Sequence, residues 1–285
     1  MRAWEARGAY AELAGLRLFH LETGPEDAGD PVLLLHGFPT SSHDWHRALP
    51  HLGERRLLLL DLPGYGLSDK PARYSYSLFE QADLVELYLR SLGSPRVHLV
   101  AHDMGTSVAC ELLARRERGL LGFEPRSVLL MNGSVHIDMA HLTPSQRLLR
   151  SPLADVFTRL GSRRIFEMQI GRILGKPIAE EDYDAMWAQL LHHDGKLRLP
   201  RIISYVAERT RFAERWIGAL TRLDLPAHVL WGTEDPVAVL AIAETLAEEI
   251  PGARLERLEG LGHYPQIEDP ERTGAAIAAF LDSLP

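Results

Sequence analysis

The sequence predicts an α/β protein with a mostly parallel, eight-stranded sheet flanked by helices, and three observations carry that reading. Short, continuous apolar runs alternate with helical patterns along most of the chain. One of those runs leads straight into a helix through a turn that holds an aspartate. A long central stretch carries helical patterns and no convincing strand, as an inserted cap would.

The first two strands form an antiparallel hairpin, residues 10–14 and 16–21, divided at Gly15. Six more strands follow at 32–35, 56–60, 97–101, 127–131, 228–231 and 254–258. Each is short and continuous, and the first five are mainly apolar, the pattern of a strand covered on both faces. Helices are expected at 78–92, 104–116, 237–250 and 271–284, and Leu84, Leu87 and Tyr88 turn one face of the first toward the sheet. The central stretch has helical segments at 145–153, 162–173, 180–191 and 201–213. The expected division is a core of residues 1–133 and 220–285, with a helical cap of residues 134–219 inserted after the sixth strand.

Composition narrows the function. Of the 285 residues 46% are hydrophobic and 25% charged, enough apolar material for a large core. The net charge of −8, with no dense basic stretch, argues against nucleic acid as a partner. No apolar run is long enough to span a bilayer, so no membrane partner is expected. The lone Cys110 cannot form an intrachain disulfide and reads as a small core residue; the cytoplasm is the expected compartment.

Four segments carry chemistry. At 97–106 an apolar strand runs into a helix with Asp103 in the turn, and the small Ala101 and Gly105 stand two residues to either side. That is the requirement of a nucleophile elbow, where a strained turn lifts the central side chain above the sheet. The competing reading is a helix N-cap, for which Asp is equally suited. After the strand at 32–35, His36-Gly37-Phe38 stands where the N–H groups of Phe38 and Met104 would form an oxyanion hole. Asp235 follows the strand at 228–231 as a candidate orienting acid, with Glu234 its neighbour and competitor. His263 follows the last strand, in a loop of glycines and a proline. Nucleophile, acid and histidine then occur in the chain order of an α/β-hydrolase triad, each after a strand.

Over nearly its whole length the chain resembles the α/β-hydrolase branch that holds epoxide hydrolases and haloalkane dehalogenases, and within it the mesoderm-specific transcript-like hydrolases. The resemblance lies in residues 36–42, 61–71, 79–81, 102–103, 132–133, 186–187, 215–220 and 263–266. It implies an aspartate nucleophile, Asp103. A carboxylate is ionised at neutral pH without a base, and it is a poor attacker of acyl carbon but suited to displacement at saturated carbon. His263, oriented by Asp235, would then activate water against the resulting ester.

The expected substrate is a small hydrophobic organic molecule, with water as second reactant, and an epoxide opened to a diol is the leading case. The resemblance implies lid tyrosines as donors to the epoxide oxygen, of which Tyr205 fits better than Tyr183. Those two, with His36 and Trp187, are the candidate substrate contacts. A haloalkane dehalogenase would carry a Trp after the nucleophile and an Asn after His36-Gly37, where this chain has Met104 and Phe38. A ligand-binding module without catalysis is the alternative of another class, which has no need of a base and its orienting acid. No cofactor and no metal is expected: His136, Asp138 and His141 lack a fourth ligand at suitable spacing, and the adjacent His192 and His193 would splay apart on a helix. Asp61 and Asp69 would fix the glycine-rich turn between them.

Overall fold

The apolar runs pair into a single sheet. A computed structural model describes residues 2–284 and contains β1 (Ala9–Leu13), β2 (Leu16–Thr23), β3 (Val32–Leu35), β4 (Leu57–Leu60), β5 (Arg96–His102), β6 (Glu124–Met131), β7 (Ala227–Gly232) and β8 (Arg254–Leu258). Their order is β1-β2-β4-β3-β5-β6-β7-β8. The β1–β2 hairpin joins antiparallel to β4, and every other pairing is parallel.

The pleat sends alternate residues to opposite faces. Leu33, Leu35, Leu58, Leu60, Leu99 and Ala101 enter one apolar core with the helices Leu78–Ser91, Met104–Glu117 and Leu240–Glu249. Val32, Leu34, Leu57, Leu59 and Val100 enter a second core closed by helix Pro270–Asp282. The parallel strands all run the same way, so the segments that follow β3, β5, β6, β7 and β8 gather at one end of the sheet. That end is where open α/β sheets carry their functional loops.

Between β6 and β7 the chain forms helices at Pro144–Leu149, Ala154–Leu160, Arg163–Gly171, Glu180–Leu191, Tyr205–Arg211 and Ala213–Thr221, with shorter turns between them. The last of these crosses the expected boundary at 219/220 and packs along Met104–Glu117. Buried Glu111 is the reason: it accepts from Trp216 Nε1 at 2.9 Å and Arg215 Nε at 2.7 Å.

Two local expectations change. The helix expected from 237 starts at Leu240, because Asp235 Oδ1 accepts the N–H groups of Val237 and Ala238 and holds a turn there. His192 and His193 do not splay: the helix ends at Leu191, His193 has φ of 50°, and the rings stack with centroids 4.0 Å apart.

Candidate active site

Asp103 sits in the turn between β5 and helix Met104–Glu117 with φ 45° and ψ −113°. A non-glycine residue at positive φ is strained, and such strain persists only where the surroundings enforce it. Here they do. A side chain at Gly37 would meet the Asp103 carboxylate at 2.8 Å, and one at Gly105 would meet the His36 carbonyl at 2.8 Å. The backbone of the turn is packed against the segment after β3 with no space for a Cβ. The Asp103 side chain does not cap its helix, so the cap reading fails.

Its two oxygens have different surroundings. Oδ2 accepts from the Phe38 N–H at 2.8 Å. Oδ1 lies 3.9 Å from His263 Nε2 and 3.7 Å from Arg209 Nη2, too far for a hydrogen bond to either. The Met104 N–H opens the helix and has no intrahelical acceptor.

His263 is held from both ends. Its Nδ1–H donates to Asp235 Oδ2 at 2.7 Å, and its backbone N–H donates to Ile173 O at 2.8 Å. Glu268 pins the loop, since one carboxylate accepts from the N–H groups of Gly175, Lys176, Gly262 and Tyr264. Asp235 rather than Glu234 meets the imidazole; Glu234 is exposed. Asp235 therefore combines both readings of its motif, holding a turn with Oδ1 and the imidazole with Oδ2.

Three supporting residues had no assigned role in the sequence. Asn132, at φ 45° just after β6, donates to Asp235 Oδ2 at 2.8 Å and accepts from the Gly232 N–H at 3.0 Å. His102 Nε2–H donates to the His263 carbonyl at 2.7 Å, while its Nδ1 accepts from Gln266. Arg209, buried on helix Tyr205–Arg211, donates from Nε to Ser107 Oγ at 2.8 Å and from Nη2 to the Asp103 carbonyl at 3.1 Å. Helical pattern alone put Arg209 in the cap; only folding puts a guanidinium beside Asp103. Replacing Asn132 by Leu should cost about 1.5–3 kcal/mol, the worth of a hydrogen bond to a charged group. Urea denaturation of the two proteins measures it, and an unchanged midpoint would remove Asn132 from the network.

The charges are arranged for an ionised Asp103. Burial works to raise its pKa, but His263, Arg209 and His102, with the Phe38 N–H, outweigh that and hold it below the ordinary value. For His263, burial works downward, yet Asp235, through charge and hydrogen bond, and then Asp103 push it up to about 9. His102 is pushed down to about 4, first by burial and then by His263, so it stays neutral in its structural role.

The remaining candidates divide. Tyr205 is buried against Phe38, with ring centroids 5.6 Å apart; among the described residues its hydroxyl makes no hydrogen bond of ordinary length, though the Gln146 side chain stands close enough to act on it. Burial and then the Asp103 charge raise its pKa, so the phenol keeps its proton. His36 is not free to bind a substrate: Nδ1–H donates to Gly37 O and Nε2 accepts from the Leu62 N–H. It braces the segment that presents Phe38. Tyr183 is half-buried, with a pKa raised first by burial and then by Glu167, Glu180 and Glu268, and it does not line the inner cavity. Trp187 stands behind Phe166, which does line it, at a centroid distance of 5.6 Å. That cavity, of about 70 Å³, reaches His263 and Phe38 between apolar walls that include Leu149, Phe166, Ile170 and Val237.

Elsewhere, Asp61 accepts from the Leu67 N–H within the turn and from the Ser42 N–H beyond it, whereas the Asp69 carboxylate accepts from the Arg17 N–H and ties the end of the turn to β2. His136 pairs with Glu249 at 2.8 Å. Among the described residues no group of His, Cys, Asp or Glu could hold a metal ion. Cys110 is buried, with its thiol pushed up to about 12 by that burial.

A mostly parallel sheet with a strained strand-to-helix turn, and Asp103, Asp235 and His263 brought together at its loop end, defines a hydrolase-type α/β protein. The chain belongs to the α/β hydrolase fold family, whose sequence profile matches residues 30–270. It is 42% identical over 284 aligned positions to LipZ of Mycobacterium tuberculosis, a protein named as a hydrolase, covering 99% of this chain and 98% of the relative. It is 35% identical to the human mesoderm-specific transcript homolog protein, covering 100% of this chain and 88% of that one. Among solved structures it is similar to a loop variant of the haloalkane dehalogenase DbeA from Bradyrhizobium elkanii, with a TM-score of 0.84 and 25% identity over 97% of each chain. No helix among the described residues is long and apolar enough to cross a membrane.

Proposed function

We propose that this hydrolase opens a small epoxide through a covalent alkyl ester on Asp103. The carrying observation is the asymmetry of the Asp103 carboxylate: Oδ2 is bonded to the Phe38 N–H, and Oδ1 is buried, ionised and unbonded. Oδ1 attacks a ring carbon, the C–O bond breaks, and the Tyr205 hydroxyl protonates the departing oxygen. Water then attacks the ester carbonyl and gives its proton to His263. The N–H groups of Phe38 and Met104 stabilise the oxyanion of that second step. Collapse breaks the ester C–O bond, and the proton held by His263 passes to the departing diol oxygen. The proton of the new carboxyl group passes to the Tyr205 phenolate, and Asp103 is again a carboxylate.

A buried hydroxyl without a hydrogen bond of ordinary length supports Tyr205 as the donor, since leaving one unsatisfied has a cost that substrate binding removes. Similarity to haloalkane dehalogenases favours a second reading, halide displacement by the same carboxylate. Against it, Trp216 spends its indole N–H on Glu111, Trp231 spends its own on the Ala238 carbonyl, and Trp187 stands behind the cavity wall.

The test is a single turnover in oxygen-18 water. Label appearing in Asp103 before it appears in diol supports the ester; label entering diol directly removes it. Epoxide and haloalkane panels separate the two readings, by diol formation or by halide release. Tyr205→Phe should slow epoxide opening about a hundredfold, the lower range for a positioned proton donor. An unchanged rate of ester formation would take Tyr205 out of the step.

A further inference from the structure

The outer face of the insertion is unusual for a surface in water. Leu153, Val156, Leu160, Ile165 and Met168 are all exposed, Leu160 by 75%, on and beside the helices Ala154–Leu160 and Arg163–Gly171. Leu153, Val156, Leu160 and Ile165 border a groove of about 220 Å³ whose walls, including Leu148 and Phe157, are almost entirely apolar. Contiguous apolar surface of this kind marks an interaction site.

Its surroundings say which kind. Arg147, Arg150, Arg159, Arg164 and Arg172 are exposed, and none has a carboxylate within ion-pair distance among the described residues. Arg163 on the same face is different, because it pairs with Glu167, Glu180 and Asp184. The apolar face is therefore bordered by five unpaired arginines, in a chain whose net charge is −8. Exposed leucines rimmed by arginines are the composition of a surface that lies in an anionic lipid interface.

We propose that this face docks on an anionic lipid bilayer. The apolar side chains enter the headgroup boundary, and the arginines meet lipid phosphates. The position fits delivery of an apolar substrate. A second cavity of about 280 Å³ has Met168 and Arg172 at its wall and shares Thr143, Ser145, Gln169, Ile173 and Val237 with the inner cavity at His263. A solute leaving the bilayer at Met168 thus enters the route to the site. The lack of a spanning run, from which no membrane partner was expected, bears on insertion across a bilayer and not on docking at its surface. A second copy of the chain fits less well, because pairing this face with itself would oppose two sets of unpaired arginines.

The experiment is sedimentation of the full chain with phosphatidylcholine vesicles, with and without phosphatidylglycerol. The protein should sediment with the anionic vesicles alone and be released by salt. Replacing Arg159 or Arg164 by Gln should weaken partition about fivefold for each arginine lost. Leu160→Asp with Val156→Asp should reduce it further, with unchanged circular dichroism melting as the control for folding. Failure to sediment, equal binding to neutral vesicles, or variants that bind like the parent would overturn the proposal. So would concentration-dependent self-association abolished by Leu160→Asp, which would assign the face to a second copy.

Discussion

On the proposed mechanism, His263→Gln should arrest turnover after ester formation, leaving the substrate's mass added to Asp103 and lowering the rate by about 10²–10⁴-fold. The displacement needs only an ionised carboxylate, and Asp103 remains ionised through Arg209 and the Phe38 N–H when the imidazole is gone. Hydrolysis of the ester needs a base, and the glutamine amide is not one. Intact-mass spectrometry with an epoxide panel reads the result directly. Full turnover by the variant would remove His263 from the mechanism, and absence of any adduct across the panel would favour a binding module on a hydrolase fold.

The same histidine sets a pH signature. In the resting protein its pKa of about 9 makes it an imidazolium at neutral pH. Alkylation neutralises Asp103, one of the charges that raise that pKa, and so lowers it toward the range where His263 can accept a proton. Ester formation should therefore persist to acid pH, limited by the depressed pKa of Asp103. Ester hydrolysis should fail as pH falls and His263 stays protonated. Quenched mass spectra of the unaltered protein should show more trapped ester at lower pH. The opposite trend would place the titrating group in the first step.

The second large effect belongs to Arg209. A guanidinium here is expensive: it is buried and stands at the N-terminal end of helix Met104–Glu117, where the helix dipole disfavours a cation. Asp103 offsets that cost, and in return Arg209 holds Asp103 ionised. Arg209→Met keeps most of the apolar stem and removes the charge. It should cost about 3–5 kcal/mol, as breaking one side of a buried pair does. It should also move the acid limb of ester formation to higher pH, because burial of Asp103 is then less opposed. Arg209→Lys should restore part of that limb without the planar contact to Ser107. An unmoved limb in Arg209→Met, with unchanged stability, would make the residue a bystander.

Both effects turn on residues that were unequally visible beforehand. The sequence pointed to Asp103, Asp235 and His263 because each follows an apolar strand and is flanked by small or turn-forming residues. Tyr183 and Trp187 lie on a helix whose extent the pattern gave correctly, but the extent of a helix does not say which neighbour each side chain faces. Arg209 and Asn132 carried no local signal. An arginine on an amphipathic helix and an asparagine after a strand are ordinary until partners distant in the chain approach them.

By itself the sequence determined the layered α/β architecture, because short apolar strands buried on both faces have few other ways to fold. It also determined which residues stand at the loop end of the sheet, because the strand direction and the turn chemistry are local. The tertiary structure decided what surrounds Asp103: a bond to one oxygen, an unbonded second oxygen and a buried arginine. Those are contacts between segments 65 to 161 residues apart, such as Phe38 with Asp103 and His102 with His263. Charge, burial and hydrogen bonding at Asp103 arise only when such segments meet, and no periodicity along the chain records them.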